Sequence, residues 1–227
     1  MKEIENIWVV IAGYNEAAVI RSVVEDVRRI VPQVVLVDDC SRDATREEAL
    51  KGGAVVVRHP INRGQGAALQ TGMTYALRQG ADVIIHFDAD GQHQSADIPK
   101  FLDAIHEGFD VVTGSRFLDA ESNVPFSRKL VLKCGILFTW FFSGLKLTDT
   151  HNGFRALSRK AAEQIRIREN RMAHASEILH EIVRLRLTYK EVPTTIRYTD
   201  YSKSRGQSSW NAVSIVWRII WRTLFLS

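Results

Sequence analysis

Residues 81–93, ADVIIHFDADGQH, decide the fold of this chain. Their first half is a continuous apolar run rich in β-branched residues, which is the pattern of a strand buried on both faces of a sheet. The run ends in two carboxylates, Asp88 and Asp90, followed by a glycine, an amide and an imidazole. Side chains two residues apart on an extended segment point the same way. The stretch therefore predicts a buried strand that delivers paired carboxylates to one edge of a sheet.

One cycle recurs from residue 7 to residue 114: a short apolar run, a polar turn and a longer segment with helical spacing. Segment 17–30 predicts a helix, because its apolar residues recur at intervals of three and four. The predicted strands are IWVVI (7–11), VVLV (34–37), AVVV (54–57), DVIIHF (82–87) and DVVTG (110–114). Apolar strands joined by helices imply a mainly parallel sheet covered on both faces, an α/β domain of the doubly wound type.

Polar residues follow the predicted strands, and ligands of such sheets bind beyond the carboxyl ends of the strands. These residues are Tyr14, Asn15 and Glu16; Asp38 and Asp39; Asn62, Arg63 and Gly64; Asp88 and Asp90; and Ser115 and Arg116. Any single pair is equally well explained as a turn or a helix N-cap. Their repetition at successive strand exits favours one shared binding site.

Composition bounds the function without choosing it. The chain has 227 residues, 45% of them hydrophobic, which suits one domain or one domain with a C-terminal extension. A formal charge of +4 favours anionic partners such as phosphates or acidic lipid. No motif that reads a nucleic-acid groove occurs, so nucleic acid is not expected as a partner. The two cysteines, Cys40 and Cys134, have no metal-binding spacing and predict neither a zinc site nor a disulfide framework.

Whether the chain spans or contacts a membrane is predicted from two apolar segments. The longest weakly charged apolar run covers residues 134–145, which are 12 residues, whereas a spanning helix needs about 20. No spanning segment is therefore expected. At the N-terminus Glu3, Glu5 and Asn6 interrupt any apolar stretch, so no signal peptide is expected. Residues 211–227 predict an amphipathic helix with arginines beside bulky aromatics, a composition typical of a membrane interface. Packing of that helix on the core or on a second subunit is the alternative, and residues 130–145 are a second candidate for membrane contact.

Seven stretches in the same order carry a resemblance that covers nearly the whole chain. They are YNE (14–16), VDDCSRDAT (37–45), NRGQGAALQTG (62–72), DADGQH (88–93), GSR (114–116), DTHNGFRALSRKA (149–161) and SRGQSSW (204–210). With them the chain resembles the family-two inverting glycosyltransferases, and within these the dolichyl- or polyprenyl-phosphate mannosyl- and glucosyltransferases. The resemblance implies a single GT-A-type, Rossmann-like domain over residues 1–210, followed by the amphipathic helix at 211–227.

The resemblance also assigns a donor site. It implies that Tyr14, Glu16 and Asp39 face the nucleotide, while Asn62 and Gly64 contact nucleotide or phosphate or cap the following helix. Ala12, which stands where the family usually has proline, and Ala89 complete the implied donor contacts. The expected donor is a nucleotide diphosphate sugar, either GDP-mannose or a UDP-hexose.

A divalent cation is expected at the carboxylates, because a leaving nucleoside diphosphate carries concentrated negative charge. Asp90 and the Gln92 carbonyl are the expected ligands of Mg²⁺ or Mn²⁺. Asp88 is expected to reach the sugar, a phosphate or a metal-bound water, and so joins the metal and catalytic residues. His93 is interpreted as a histidine that stabilises the turn or supports a neighbouring residue of the site.

The acceptor determines which further residues the reaction needs. A hydroxyl acceptor requires a general base, whereas a phosphate monoester is already anionic near neutral pH. Family members that act on sugar hydroxyls typically carry Glu-Asp where this chain has Ser176 and Glu177. A phosphate acceptor is therefore favoured, with Glu177 as an orienting residue or fallback base. The residues expected to bind the phosphate are Ser115, Arg116, Arg128, Lys203 and Arg205.

The expected activity is transfer of one hexose to a polyprenyl phosphate at the cytoplasmic face of the membrane, with the enzyme bound peripherally. Two alternatives remain from the sequence: transfer to a glycan hydroxyl with Glu177 as base, and a subunit that binds a nucleotide sugar without turnover. The sequence leaves a homodimer open.

Overall fold

The computed structural model describes residues 6–118, 145, 147–150, 152–171 and 173–197. The chain divides into two units, Met1–Arg197 and Tyr198–Ser227. The predicted helix at 211–227 lies outside the described residues, as do Arg128, Lys203 and Arg205 and all of the 130–145 segment except Leu145. None of the helices within the described ranges has the length and apolarity needed to cross a bilayer.

Strands and helices alternate along the described part of the first unit. In chain order they are β1 (Ile7–Gly13), α1 (Ile20–Arg28), β2 (Gln33–Asp38), α2 (Thr45–Lys51), β3 (Val55–Arg58), α3 (Gln65–Arg78), β4 (Val83–Asp88), a 3₁₀ turn (Ser95–Asp97), α4 (Ile98–His106), β5 (Val111–Ser115), β6 (Arg155–Ser158), α5 (Arg159–Gln164), α6 (His174–Arg184) and β7 (Tyr189–Pro193). All five predicted strands are present, with ends shifted by one or two residues. The helix expected at 17–30 is shorter, Ile20–Arg28.

The described strands form one sheet in the order β3-β2-β1-β4-β6-β5-β7. All neighbouring pairs are parallel except those of β6, which runs antiparallel to both β4 and β5. The expected mainly parallel α/β domain is thus confirmed. The short strand β6 separates β4 from β5, although these two follow each other among the predicted strands.

Alternate residues of β1 show how the sheet is covered. Val9 and Ile11 belong to a buried cluster with side chains of α1 and α4. Trp8 and Val10 belong to a second cluster with α3, α5 and α6. Both faces are therefore buried, which explains why the central strands are continuously apolar.

The register brings several strand ends to one edge. Ala12 of β1 lies opposite Asp88 of β4, and Gly13 lies opposite Asp38 of β2. Because β6 is antiparallel, it begins at this same edge, where Arg155 pairs with His86 of β4. The residues that precede β6 therefore reach the edge where the carboxylates lie.

Candidate active site

Asp88 is the last residue of β4 and is held from two sides. Its Oδ2 lies 2.9 Å from His93 Nε2, and its Oδ1 accepts a hydrogen bond of 3.2 Å from Gln65 Nε2 at the start of α3. Gly153 packs directly on this carboxylate: a Cβ at Gly153 would lie 2.8 Å from Asp88 Cγ. Only glycine leaves room for the carboxylate at this point. The contact from His93 matches the supporting position expected from the sequence.

Asp90 lies one residue past Ala89, in a turn that needs a glycine at its next position. Gly91 has φ +73°, a conformation that other residues rarely adopt. The backbone N–H of Gln92 donates to Asp90 Oδ1 at 3.0 Å. Burial raises the pKa of Asp90, and the negative charge of Asp88 raises it further. The two carboxylates thus repel each other in a partly buried place.

The pKa of Asp88 moves the other way. Burial alone would raise it, but the hydrogen bond from His93 and the electrostatic interactions with His93 and Arg155 outweigh burial and lower the pKa. Asp88 is therefore ionised at neutral pH, and its charge acts on Asp90.

A hard divalent cation fits this pair of carboxylates, because it would relieve the repulsion that raises the pKa of Asp90. The described residues contain no group of three or more His, Cys, Asp or Glu side chains arranged for a metal ion. Mg²⁺ and Mn²⁺ sites built from one or two carboxylates draw their remaining ligands from water and substrate phosphates. The Gln92 carbonyl accepts a hydrogen bond of 2.9 Å from Arg197 N, and a carbonyl oxygen keeps a second lone pair.

The expected nucleotide side consists of two loops joined by hydrogen bonds. Asn15 N donates to Ser41 Oγ at 2.9 Å, and Glu16 N donates to Thr45 Oγ1 at 2.7 Å. The loop after β1 is thereby fixed to the loop after β2. Tyr14, in the loop after β1, is 41% exposed, so its aromatic ring is accessible to a ligand.

Asp39 organises the next loop along the edge. Its carboxylate accepts hydrogen bonds from Arg63 N at 2.9 Å and Gly64 N at 2.6 Å, and His59 Nδ1 lies 2.7 Å from its Oδ1. The Asn62 side chain donates to the Asp39 carbonyl at 3.2 Å. The buried carboxylate thus holds the 62–64 loop at the start of α3, in addition to any contact with a nucleotide.

On the side where the acceptor is expected, Arg116 forms a bidentate ion pair with buried Asp149. Nε and Nη2 of Arg116 each lie 2.6 Å from a carboxylate oxygen of Asp149. Ser115 Oγ lies 2.6 Å from Thr148 Oγ1, so the β5 exit is joined to the segment before β6. The ion pair fixes the orientation of the Arg116 guanidinium at the sheet edge.

Glu177 lies in the first turn of α6, and its carboxylate caps another segment. It accepts hydrogen bonds from the backbone N–H groups of Arg168, at 2.9 and 3.0 Å, and of Glu169, at 2.9 Å. These bonds fix the loop between α5 and α6, whose Asn170 carbonyl in turn accepts from Gly66 N at 3.0 Å. In this structure the carboxylate of Glu177 is occupied by backbone donors.

A family model described as Glycosyl transferase family 2 matches residues 8–166. The chain belongs to glycosyltransferase family 2. Relatives of similar length support this assignment. The UDP-N-acetylglucosamine–dolichyl-phosphate N-acetylglucosaminyltransferase of Methanococcus voltae is 32% identical, and the match covers 97% of this chain and 95% of that protein. The polyprenol monophosphomannose synthase of Mycolicibacterium smegmatis is 34% identical over 69% of this chain and 63% of its own length.

Solved structures support the GT-A fold of this glycosyltransferase. Glucosyl-3-phosphoglycerate synthase of Mycobacterium tuberculosis superposes with a TM-score of 0.70 at 20% identity, covering 96% of this chain and 79% of that one. The same protein in complex with Mn²⁺, UDP and glucosyl-3-phosphoglycerate gives a TM-score of 0.67 at 19% identity, covering 88% and 75% of the two chains.

Several residues at the site of the glycosyltransferase were not identified from its sequence. They are Gln65, Asp149, Gly153, Arg155 and His174. His174 is buried, and its Nδ1 donates to the Arg171 carbonyl at 2.7 Å. Burial lowers the pKa of His174, and the charge of Arg155 lowers it further. The one available signal was an arginine and a glycine beside the apolar residues of GFRAL (153–157), the stretch in which β6 begins at Arg155.

Proposed function

We propose that this glycosyltransferase is an inverting, divalent-cation-dependent hexosyltransferase. It transfers a hexose from a nucleotide diphosphate sugar to a polyprenyl phosphate at the cytoplasmic face of a membrane. Residues 1–210 form the catalytic domain, and the helix at 211–227 contacts the membrane surface peripherally.

The position of Glu177 is the observation that carries the choice of acceptor. A hydroxyl acceptor needs a general base, and Glu177 was the candidate from the sequence. Its carboxylate instead accepts three hydrogen bonds from the N–H groups of residues 168 and 169. A phosphate acceptor needs no such base. The relatives named as dolichyl-phosphate and polyprenol transferases support the same choice.

The carboxylates have separate tasks in the proposed reaction. Asp90 and the Gln92 carbonyl would hold Mg²⁺ or Mn²⁺, with Asp88 beside them. The bound cation would stabilise the negative charge of the leaving nucleoside diphosphate. Asp88, fixed by His93 and Gln65, orients the donor at the reacting carbon. Donor contacts come from Ala12, Tyr14, Glu16, Asp39, Asn62, Gly64 and Ala89.

Arg116 is the proposed contact for the acceptor phosphate, together with Ser115 and with Arg128, Lys203 and Arg205. Arginine suits this task because its planar guanidinium binds phosphate oxygens in pairs. Since Asp149 holds the guanidinium of Arg116 in one orientation, the acceptor phosphate meets a preorganised cation.

Release of nucleoside diphosphate tests the proposal. The purified protein is incubated with GDP-mannose, UDP-glucose or UDP-N-acetylglucosamine and with Mn²⁺ or Mg²⁺, with and without a short polyprenyl phosphate. Release that requires both the cation and the lipid phosphate is the expected result. Release that is indifferent to the lipid phosphate would contradict the acceptor assignment and point to a hydroxyl compound. Donor binding without product in any combination would indicate a non-catalytic subunit.

Asp90→Asn is the variant that tests the cation site. It removes a negative ligand while preserving shape, so we expect at least a ~100-fold loss of turnover with little change in thermal stability. Asp103→Asn, at an exposed position of α4, is the matched control and should retain full activity. Undiminished turnover of Asp90→Asn would refute the assignment of Asp90 as a cation ligand.

A further inference from the structure

Three polar side chains form a buried row across the centre of the sheet. Arg155 of β6 pairs with His86 of β4 on one side and with Thr113 of β5 on the other. Residues directly opposite each other on neighbouring strands share a face of the sheet. The three side chains are at most 2% exposed. We call His86, Thr113 and Arg155 the polar row.

Most polar side-chain atoms of the polar row lack hydrogen-bond partners. Both ring nitrogens of His86, Oγ1 of Thr113, and Nε and Nη1 of Arg155 are buried without a partner in the part of the chain that the structure describes. An unpaired buried polar group lowers the stability of the folded state, because it loses its hydrogen bonds to water without replacing them. An arginine at this position therefore lowers the stability of the fold, which would be unexplained if its side chain only filled space.

The positive charge of Arg155 acts on carboxylates of the candidate active site. Burial lowers the pKa of Arg155, and the negative charges of Asp88 and Asp149 oppose that effect. An arginine keeps its proton inside proteins. Burial and the charge of Arg155 together lower the pKa of His86 to about 3, so His86 is neutral. Arg155 is thus the cation of the row, and the two carboxylates it interacts with lie at the active site.

Arg155 differs from Arg116 in how it meets these carboxylates. Arg116 holds Asp149 through two short hydrogen bonds, whereas no hydrogen bond joins Arg155 to Asp88 or Asp149 among the described residues. Its charge therefore acts through space, in a buried region where Coulomb interactions are stronger than in water.

We propose that Arg155 is a positioning residue whose positive charge lies beneath the active site. This charge strengthens binding of the anionic donor diphosphate and weakens binding of the divalent cation. This inference rests on the proposed function, since it concerns the same donor and cation. The charge of Asp149 is already paired with Arg116, whereas Asp88 and Asp90 would otherwise present two negative charges to an incoming diphosphate. Arg155 offsets that charge from below without occupying the site.

Arg155→Met tests the inference, because methionine has a similar length and no charge. With the positive charge removed, Mn²⁺ should bind the donor-free protein about three- to tenfold more tightly. The nucleoside diphosphate selected by the wild type, measured at saturating Mn²⁺, should bind at least about tenfold more weakly. Thermal stability should be unchanged or higher, since an apolar side chain of similar volume often stabilises a buried ionic position. Both affinities are measured by isothermal titration calorimetry.

Arg155→Lys and Arg184→Met complete the comparison. Arg155→Lys retains the charge and should bring both affinities back to within about threefold of wild type. In steady-state kinetics Arg155→Met should raise the KM for the donor more than it lowers kcat, and Arg155→Lys should reverse this. Arg184 is exposed and pairs with Glu181 on the outer side of α6, so Arg184→Met should change neither affinity.

The outcomes separate this inference from the proposed function. A wild type that binds neither Mn²⁺ nor any nucleoside diphosphate contradicts the proposed function itself. A wild type that binds both, with Arg155→Met unchanged or weakened for both ligands, overturns the role of Arg155 alone. Failure of the folded Arg155→Lys variant to restore binding also overturns it. If Arg155→Met is insoluble, Arg155→Gln takes its place with the same expected changes in the two affinities.

Discussion

Glu177 shows how the partners of one side chain decide its function. A glutamate near the active site of a glycosyltransferase invites a role as general base. In the structure, the carboxylate of Glu177 accepts hydrogen bonds from the backbone N–H groups of Arg168 and Glu169. These three hydrogen bonds hold the loop of residues 168 and 169, which favours an orienting role for Glu177 over that of a base.

Glu177→Gln separates these two roles. We expect turnover to fall less than about tenfold, because proton abstraction is not required, and stability to fall by about 1 kcal/mol as a charged acceptor is lost. Initial rates and urea denaturation measure the two effects. Glu181→Gln, one turn further along α6, is the control. A loss of about 10³-fold or more in turnover, with the fold intact, would restore Glu177 as a base.

At the level of residues, the sequence predicts which groups lie at strand exits but not what they bind. Asp88 and Asp90 follow from the pattern of β4, because periodicity fixes the direction of side chains on a strand. The contacts of Glu177 and Asp149 depend on the backbone of distant segments, which no local pattern encodes. Arg155 was missed for the same reason: its partners come from β4 and β5.

At the level of elements, the loop of residues 62–64 depends on one carboxylate from another strand exit. Asp39 accepts hydrogen bonds from two N–H groups of the loop and one from His59. The loop leads into α3, whose first residue, Gln65, contacts Asp88. Asp39 therefore connects the exit of β2 to the surroundings of Asp88, the proposed catalytic carboxylate.

Asp39→Asn should weaken this connection. An asparagine has one acceptor oxygen in place of two, so at least one loop N–H loses its partner. We expect stability to fall by about 1–3 kcal/mol and the KM for the donor to rise more than kcat falls. Denaturation and donor titrations measure these effects, with Asp26→Asn on the exposed side of α1 as control. An unchanged KM together with unchanged stability would contradict the organising role of Asp39.

The elements themselves were predictable to different degrees. Strands β1 to β5 were predicted because each is a continuous apolar run that is buried on both faces or ends at a turn. Strands β6 and β7, RALS and YKEVP, mix charged and apolar residues over four or five positions. Short segments of this kind form strands because neighbouring strands pair with them, so sequence alone does not distinguish them from loops.

At the scale of the whole molecule, Asp110 joins three elements around β5. Its Oδ2 accepts hydrogen bonds from Lys160 Nζ on α5 at 3.1 Å and from Thr188 N and Oγ1, before β7, at 3.0 Å. Burial alone would raise the pKa of Asp110, but these hydrogen bonds and the charge of Lys160 outweigh it and lower the pKa below its ordinary 3.8.

The lowered pKa predicts a pH-dependent contribution to stability. A carboxyl group with a lower pKa in the folded state stabilises the fold above the pKa of the unfolded state, and this contribution is lost as pH falls through the folded value. Asp110→Asn should therefore be about 1–2 kcal/mol less stable than wild type at pH 7, and the difference should shrink below pH 3.8. Urea denaturation from pH 7 to pH 3 measures it. A difference that is constant over this range would contradict the prediction, and Asp103→Asn provides the baseline.

The insertion of β6 between β4 and β5 also has a consequence for how the protein is made. Among the described strands, β1 to β4 pair with one another, and β4 pairs in addition with β6, so the first part of the sheet can form before β5 is in place. Strand β5 pairs with β6 and β7, which follow it in the chain, so it is added after they have been made. Pairings between residues far apart in sequence, such as His86 with Arg155, form slowly. We therefore expect insertion of β6 to be a late step of folding. In a nascent chain, Arg155 and the proposed acceptor contacts at the end of β5 would then be placed together, after Asp88 and Asp90.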